Sequence, residues 1–314
     1  MTNKYTIFKY YFHNKVIFTE RVLINKTILT GHNVAKLFES VKELKFMIYN
    51  NTYYLNDEFL AMDNKEVNCY IDYFSYKLKK SLDDSIFEGN ENLLSIYIPE
   101  GIKKIGAKAF KNCGNLESVH LPSTLQKLGD EAFNGCTSLE KINLPEKLKK
   151  LPNKLFNDCI SLKELIIPYK VKEIDLSFLN GCYNLGSINV DIKNKYYDSR
   201  NDSNALLESA TNTLLIATYN IIIPNTTEII ANNAFSLAPY LKDILLPKSI
   251  ERIKDNAFNG CKGLENIFYE GTKSDLSNVN NQLEKYTIYY YCPEKPGNND
   301  LYWHYDENHN LKIW

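Results

Sequence analysis

Nowhere in this sequence do roughly 18 apolar residues run together, so no membrane-spanning helix is written here. Net charge is also missing. Thirty-seven Lys and Arg against 38 Asp and Glu leave −1. No global field therefore draws nucleic acid, anionic lipid or an acidic partner. Histidine is scarce: His13, His32, His120, His304 and His309 lie in unrelated contexts, without an H-E-x-x-H. G-x-S-x-G, G-x-x-x-x-G-K-[ST] and C-x-x-C do not occur either. The usual nucleophile elbow, nucleotide cradle and paired-cysteine metal knuckle are thereby excluded, and no catalytic residue, metal site or cofactor is expected. Lys9, His13, Lys15 and Glu20 interrupt the N-terminal apolar stretches before a signal-peptide core of about 7–15 residues can form, so the expectation is either a cytoplasmic chain or a fragment.

What is present is a phrase. "AFKNCGNLESVHLP" (109–122), "AFNGCTSLEKINLP" (132–145) and "LFNDCISLKELIIP" (155–168) follow one another at intervals of 23 residues. Phe87, Phe110, Phe133 and Phe156 keep that interval, as do Phe235 and Phe258. So do Leu93, Leu116, Leu139, Leu162 and Leu185, then Leu241 and Leu264. If Thr218, heading "TYNIIIP", stands in for a leucine, the chain holds eight units, one with a 10-residue insertion. Pro99, Pro122, Pro145, Pro168, Pro224 and Pro247 close the phrase.

The physics follows from the period. In "LESVHLP", Leu116, Val119 and Leu121 face one way and Ser118 and His120 the other. Such a strand is too short to stand alone, but stacked on its copies it builds a parallel sheet over a continuous apolar interior. Proline then stops further pairing. Leu125 and Leu128 turn inward next, and Ala132–Phe133 seals the layer.

The motif P-x-x-[LIV]-x-x-[LI]-x-x-x-A-F-x-x-C-x-x-L-x-x-[LIV]-x-[LIV]-P resembles the BspA-type leucine-rich repeat family over about residues 83–290. "YYDSRNDSNALLESATNTLLIATYNIIIP" (196–224) is similar to the hairpin that interrupts many of these proteins, although Ser203 stands where that hairpin often has cysteine. "YYYCPEKPGNNDLYWHY" (289–305) is similar to their closing segment. The unit at Leu176–Leu179 has lost its Ala-Phe. The resemblance implies an α+β or mainly β solenoid, found on bacterial or protist surfaces and often tied to adhesion. It carries over no catalytic residue, and its surface habit opposes the cytoplasmic expectation.

Of seven cysteines, Cys113, Cys136, Cys159, Cys182 and Cys261 share one slot, three residues after the Phe; Cys69 and Cys292 stand apart. Ala238 occupies the same slot in another unit, so the position asks for a small buried side chain. Side chains in one column point in parallel, which suits neither a disulfide nor a converging metal site. Buried free thiols are expected.

Residues 1–82 lack the period. "KYTIFKYYF" and "KVIFTERVLI" predict a hairpin, Val34, Leu37, Phe38, Val41, Leu44 and Ile48 a helix, and "FMIYNNTYYL" and "KEVNCYIDYF" further strands. This reads as a small α+β unit, β-grasp-like or a cap on the first repeat. The solenoid is assigned to 83–290, with a hairpin insertion at about 191–217, and a C-terminal cap to 291–314.

Alternation turns Ser95, Tyr97, Ser118, His120, Lys141, Asn143, Glu164, Ile166, Ser187, Asn189, Asp243, Leu245, Asn266 and Phe268 outward. Tyr97, His120, Asn143, Ile166, Asn189, Leu245 and Phe268 are the candidate binding residues, because several are more apolar than a solvated face requires. They predict a non-enzymatic scaffold for a protein partner, with a glycan as the other ligand class, in a monomer or weak homo-oligomer. The competing reading seats an effector or enzymatic activity in 1–82 with the repeats as targeting module. Lys103, Lys104, Lys127, Lys149, Lys150 and Lys172 form a basic stripe without interleaved aromatics. Phosphate backbone or acidic glycans are its conceivable ligands, but without aromatics base stacking is unsupported and it reads as solvated side chains and not as a nucleic-acid site. Tyr196, Tyr197 and Arg200 mark the insertion, whose strands are expected to pack on the solenoid.

Overall fold

The computed structural model describes residues 80–98, 100–277, 279, 283–297 and 300–314, together with the backbone of strands at 6–12, 15–22, 47–49, 52–54 and 68–70. The helix expected from Val34 lies outside the described residues. β1 (Thr6–Phe12) and β2 (Lys15–Val22) form the antiparallel hairpin expected around residues 13–14. β3 (Met47–Tyr49) and β4 (Thr52–Tyr54) form a second, and β5 (Asn68–Tyr70) joins β3. β1–β2 is a sheet of its own, whereas β5 continues in parallel into the first repeat.

From there two rows of strands alternate along the chain. They are β6 (Ser95–Tyr97), β7 (Lys104–Ile105), β8 (Ser118–His120), β9 (Lys127–Leu128), β10 (Lys141–Ile142), β11 (Lys150–Leu151), β12 (Glu164–Ile167), β13 (Glu173–Ile174) and β14 (Ser187–Val190). The even-numbered row is the leucine-phrase strand of each repeat, paired in parallel as β6–β8–β10 and β12–β14. The odd-numbered row pairs as β7–β9 and β11–β13, two residues at a time. This second row was not foreseen: a Lys-Leu dyad is too short to show a period.

Each turn closes on its Phe. Phe87, Phe110, Phe133 and Phe156 stack in one column, with ring centroids 5.3, 5.2 and 5.7 Å apart in succession. Phe235 and Phe258 resume the stack at 4.8 Å. The backbone two residues before and after each of the first four rings is left-handed, as at Glu131 (φ 57°) and Gly135 (φ 75°) around Phe133. These two reversals fold the segment so tightly that the Phe133 N–H donates to Leu155 O of the next layer at 3.0 Å. In the fifth unit Phe178 and Leu179 exchange sizes with Leu155–Phe156 and both remain fully buried.

The insertion contributes β15 (Tyr197–Asp198), β16 (Ala205–Glu208) and β17 (Thr213–Ala217), an antiparallel set whose last strand enters the second row beside β18 (Ile229–Ile230). Its strands pack as expected: Leu206 and Ile216 join one apolar cluster, and Leu207 and Leu214 join the next. Arg200 is held by Asp198 at 2.7 and 2.8 Å and by Asn212 at 2.8 Å. Burial works against the Asp198 charge, yet hydrogen bonds from Arg200 and Ser209 keep its carboxyl below the usual range.

The strand expected in "TYNIIIP" does not form. Thr218 does take the leucine's buried place, but its hydroxyl donates to Gly186 O at 3.1 Å and Asn204 O at 2.8 Å. The Ile222 N–H donates to Ser203 O. The backbone here is bound to the insertion, so the first row breaks between β14 and the next strand.

β19 (Asp243–Leu246), β20 (Arg252–Ile253) and β21 (Asn266–Tyr269) restore both rows; β20 pairs with β18, and β21 with β19. After the short helix α1 (Lys273–Ser277), β22 (Thr287–Tyr291), β23 (Tyr302–Tyr305) and β24 (Leu311–Ile313) close the end, β24 antiparallel to β23. Trp303 is fully buried there and its indole N–H donates to Tyr269 O at 3.0 Å. The whole is a mostly-β solenoid of about eight turns.

Candidate functional site

The strands of the first row show one face to the core and one to solvent, because side chains alternate across a pleated strand. In β8 Val119 is buried between exposed Ser118 and His120. In β12 Leu165 and Ile167 are buried and Ile166 is 54% exposed. Successive repeats bring these outward side chains together, as Tyr97 opposite His120 and Ile166 opposite Asn189.

Tyr97 and His120 stack with ring centroids 4.5 Å apart and planes 8° from parallel. Partial burial, and after it the Glu100 carboxylate, push the Tyr97 phenol above its ordinary pKa. Asn143 and Asn189 are exposed. Below this row, charges alternate between layers: Lys141 pairs with Glu164, and Lys163 with Glu140 at 2.8 Å. The structure thus brings five of the seven candidates onto successive turns. Leu245 lies beyond the break in the row and is half-buried.

Phe268 requires correction. It is 6% exposed, stacked on Tyr289 at 5.0 Å and set edge-on to Trp303 at 6.2 Å. Its outward register holds, but the closing strands cover it, so it belongs to the cap and not to a free face.

Two open grooves flank the row. One, of about 460 Å³, is lined by Glu140, Lys141, Lys163, Glu164, Gly186, Ser187, Asn204 and Asn220. The other, of about 420 Å³, holds Tyr183, Tyr219 and Tyr240 with Asn184, Lys242 and Asp243. Gly186 makes room between them: a Cβ there would stand 2.9 Å from the Tyr219 Oη. Sequence reading missed these tyrosines. The visible signal was their placement one or two residues past the small buried slot at Cys182 and Ala238, with Tyr219 directly after Thr218.

The cysteine column is chemically quiet. Cys113, Cys136, Cys159, Cys182 and Cys261 are buried and not joined in disulfides. The Cys136 thiol donates to Phe110 O at 3.2 Å and the Cys159 thiol to Phe133 O at 3.1 Å, each reaching the layer before. Burial raises the Cys182 thiol to about 12, suppressing the thiolate that metal binding or nucleophilic attack would need. Among the described residues no cluster of three or more His, Cys, Asp or Glu could hold a metal ion, and no helix is long and apolar enough to cross a membrane.

Comparison with known proteins agrees with this architecture. A leucine-rich repeat protein from Eubacterium ventriosum is 18% identical, with a TM-score of 0.50 over 73% of this chain and 65% of its own. The pneumococcal vaccine antigen PcpA is 22% identical, with a TM-score of 0.50 over 60% of this chain and 50% of its own. The chain therefore spans less than two thirds of either relative, and the likeness is one of fold. No curated protein sequence matches significantly. The family profile described as the BspA type leucine rich repeat region matches in six copies over residues 80–203 and 215–288. The chain belongs to the BspA-type leucine-rich repeat family.

Proposed function

We propose that this chain is a binding scaffold that engages a protein partner through the outward face of the first strand row, at Tyr97, His120, Asn143, Ile166 and Asn189. One observation carries the reading: five successive layers present a stacked aromatic pair and a bare isoleucine on a rigid frame. Exposed apolar groups at the centre of a surface, ringed by polar ones, are the composition of a contact patch. The nearby Asn and Lys–Glu groups supply that rim. Residues 1–82 are a cap in this reading, since β5 pairs with β6 and the β3–β5 sheet covers the first repeat's open edge. Residues 83–290 form the scaffold and 291–314 close it. Neither terminal segment is the seat of an activity.

The test uses the full chain against candidate surface proteins, with hydrogen exchange mapping the footprint. Protection should fall on 95–97, 118–120 and 164–167. Joint replacement of Tyr97, His120 and Ile166 by Ala should weaken binding at least a hundredfold, in line with hot-spot behaviour. Protection confined to the tyrosine groove or the C-terminal strands, with the triple variant binding normally, would overturn the assignment.

A further inference from the structure

The second strand row carries a charge arrangement that the binding face does not share. In β7, β9 and β11 the apolar residue of each dyad is buried, and Lys104, Lys127 and Lys150 point outward. Lys104 sits opposite Lys127. The residue before each dyad adds a second column. The Lys103 N–H bonds to Lys80 O, and the Lys172 N–H to Lys149 O, one layer apart each time. Lys80, Lys103, Lys104, Lys127, Lys149, Lys150 and Lys172 are all exposed. Lys172 reaches Glu173 at 3.7 Å, whereas the other six make no ion pair among the described residues. On the first row the same chain sets lysine against glutamate between layers, at Lys141–Glu164 and Lys163–Glu140. Like charges directly opposite one another in a sheet repel. On the second row the repulsion is left standing at Lys104–Lys127, and an acid first faces the ladder at its last layer, where Glu173 lies opposite Lys150.

We infer that this lysine ladder binds a linear, densely sulfated or carboxylated polysaccharide lying across the layers, parallel to the stack. Strands in a sheet lie about 4.8 Å apart, so five layers offer a cationic track of roughly 19 Å, long enough for several sugar units. The track is bounded. Beyond Lys172 the same column carries Asn212, Glu228 and Glu251, linked layer to layer by backbone hydrogen bonds. Its chemistry favours a glycan over nucleic acid. The two columns contain no aromatic ring on which a base could stack, their other members being Ser81, Gln126 and Glu173. Within the five layers they contain no guanidinium to grip phosphate in a fork, only ammonium point charges; Arg252 comes later, in β20.

The experiment measures binding of the full chain to heparin, to chemically desulfated heparin and to a thymidine oligonucleotide of matched charge, across a salt series. Heparin should bind most tightly, and desulfation should weaken it at least tenfold. The variant K104Q/K127Q/K150Q should lose at least tenfold in heparin affinity and show a flatter dependence on salt, because fewer counterions are released. K193Q/K195Q/K262Q, which removes three exposed lysines elsewhere, should bind as the parent does. Circular dichroism melts check the fold. Should the triple variant melt early, K127Q alone gives the same comparison with a two- to threefold loss. Absence of heparin binding, or equal losses in both variants, would overturn the proposal. So would an oligonucleotide that binds as tightly as heparin, which would move the ladder to nucleic acid.

Discussion

At Cys159 the sulfur fills a fully buried gap, and its hydrogen points at a carbonyl that already accepts the slot's own N–H: Phe133 O takes Cys136 N at 3.2 Å and Cys159 Sγ at 3.1 Å. A carbonyl has two lone pairs, and the thiol uses the second. A small buried group was legible in the sequence from the Cys/Ala exchange, but the hydrogen bond was not, because it depends on where the previous layer's backbone lies. Burial has a measurable consequence. At pH 8 a thiol reagent should label Cys292 in the native chain, while Cys113, Cys136, Cys159 and Cys182 should react only after denaturation; mass spectrometry of the peptides reads this directly. Stability should also fall in alkali. Cys182 ionises near 9 when unfolded and at about 12 when folded, so its protonated form is favoured by the fold. That contribution is intact below about pH 9 and is lost as pH rises from there toward 12. Urea titrations at pH 8 and pH 10.5 should show the loss, and Cys182→Ala should reduce it. Thr227 offers the opposite case. Its buried hydroxyl has no partner among the described residues. Thr227→Val should therefore raise stability by about 1 kcal/mol, measured by thermal melting.

Within an element, each turn is held by what its neighbours present. Phe133 stacks between Phe110 and Phe156, so Phe133→Ala should cost about 3–5 kcal/mol in urea unfolding. Phe133→Leu should cost far less, about 1 kcal/mol, since Leu179 fills the corresponding place. Gly129 is a second pressure point: a Cβ there would lie 2.3 Å from the Ala107 nitrogen. Gly129→Ala should force two layers apart at a cost of about 3 kcal/mol. The first strand row was legible because alternation over "LESVHLP" repeats at a fixed interval. The break at Ile221–Pro224 was not: its apolar residues read as a strand, but the Ile222 N–H is taken by the insertion's carbonyl at Ser203, and Asn204 O holds the Thr218 hydroxyl just before it. The tyrosine groove escaped notice for the same reason, since it exists only where the row is interrupted.

For the whole molecule, the ends decide whether a stack of half-satisfied layers stays separate in solution. The closing strands cover Phe268 and bury Trp303 completely. Trp303→Ala should cost about 3–5 kcal/mol and uncover the Phe268 ring it packs against. Light scattering should then show stronger concentration-dependent association than for the parent chain. The aromatic "YWHY" was visible as a terminal cover in the sequence, yet its reach onto Phe268 required the parallel register of β21 with β22. A different consequence follows from the Phe110–Phe133–Phe156 column. Because consecutive middle turns offer matching upper and lower surfaces, excising residues 124–146 rejoins compatible faces. Adding a copy does the same. Reach along the axis is thus an adjustable dimension of this molecule, altered by whole turns without redesigning any interior, whereas a cut of any other length would misalign every ring downstream.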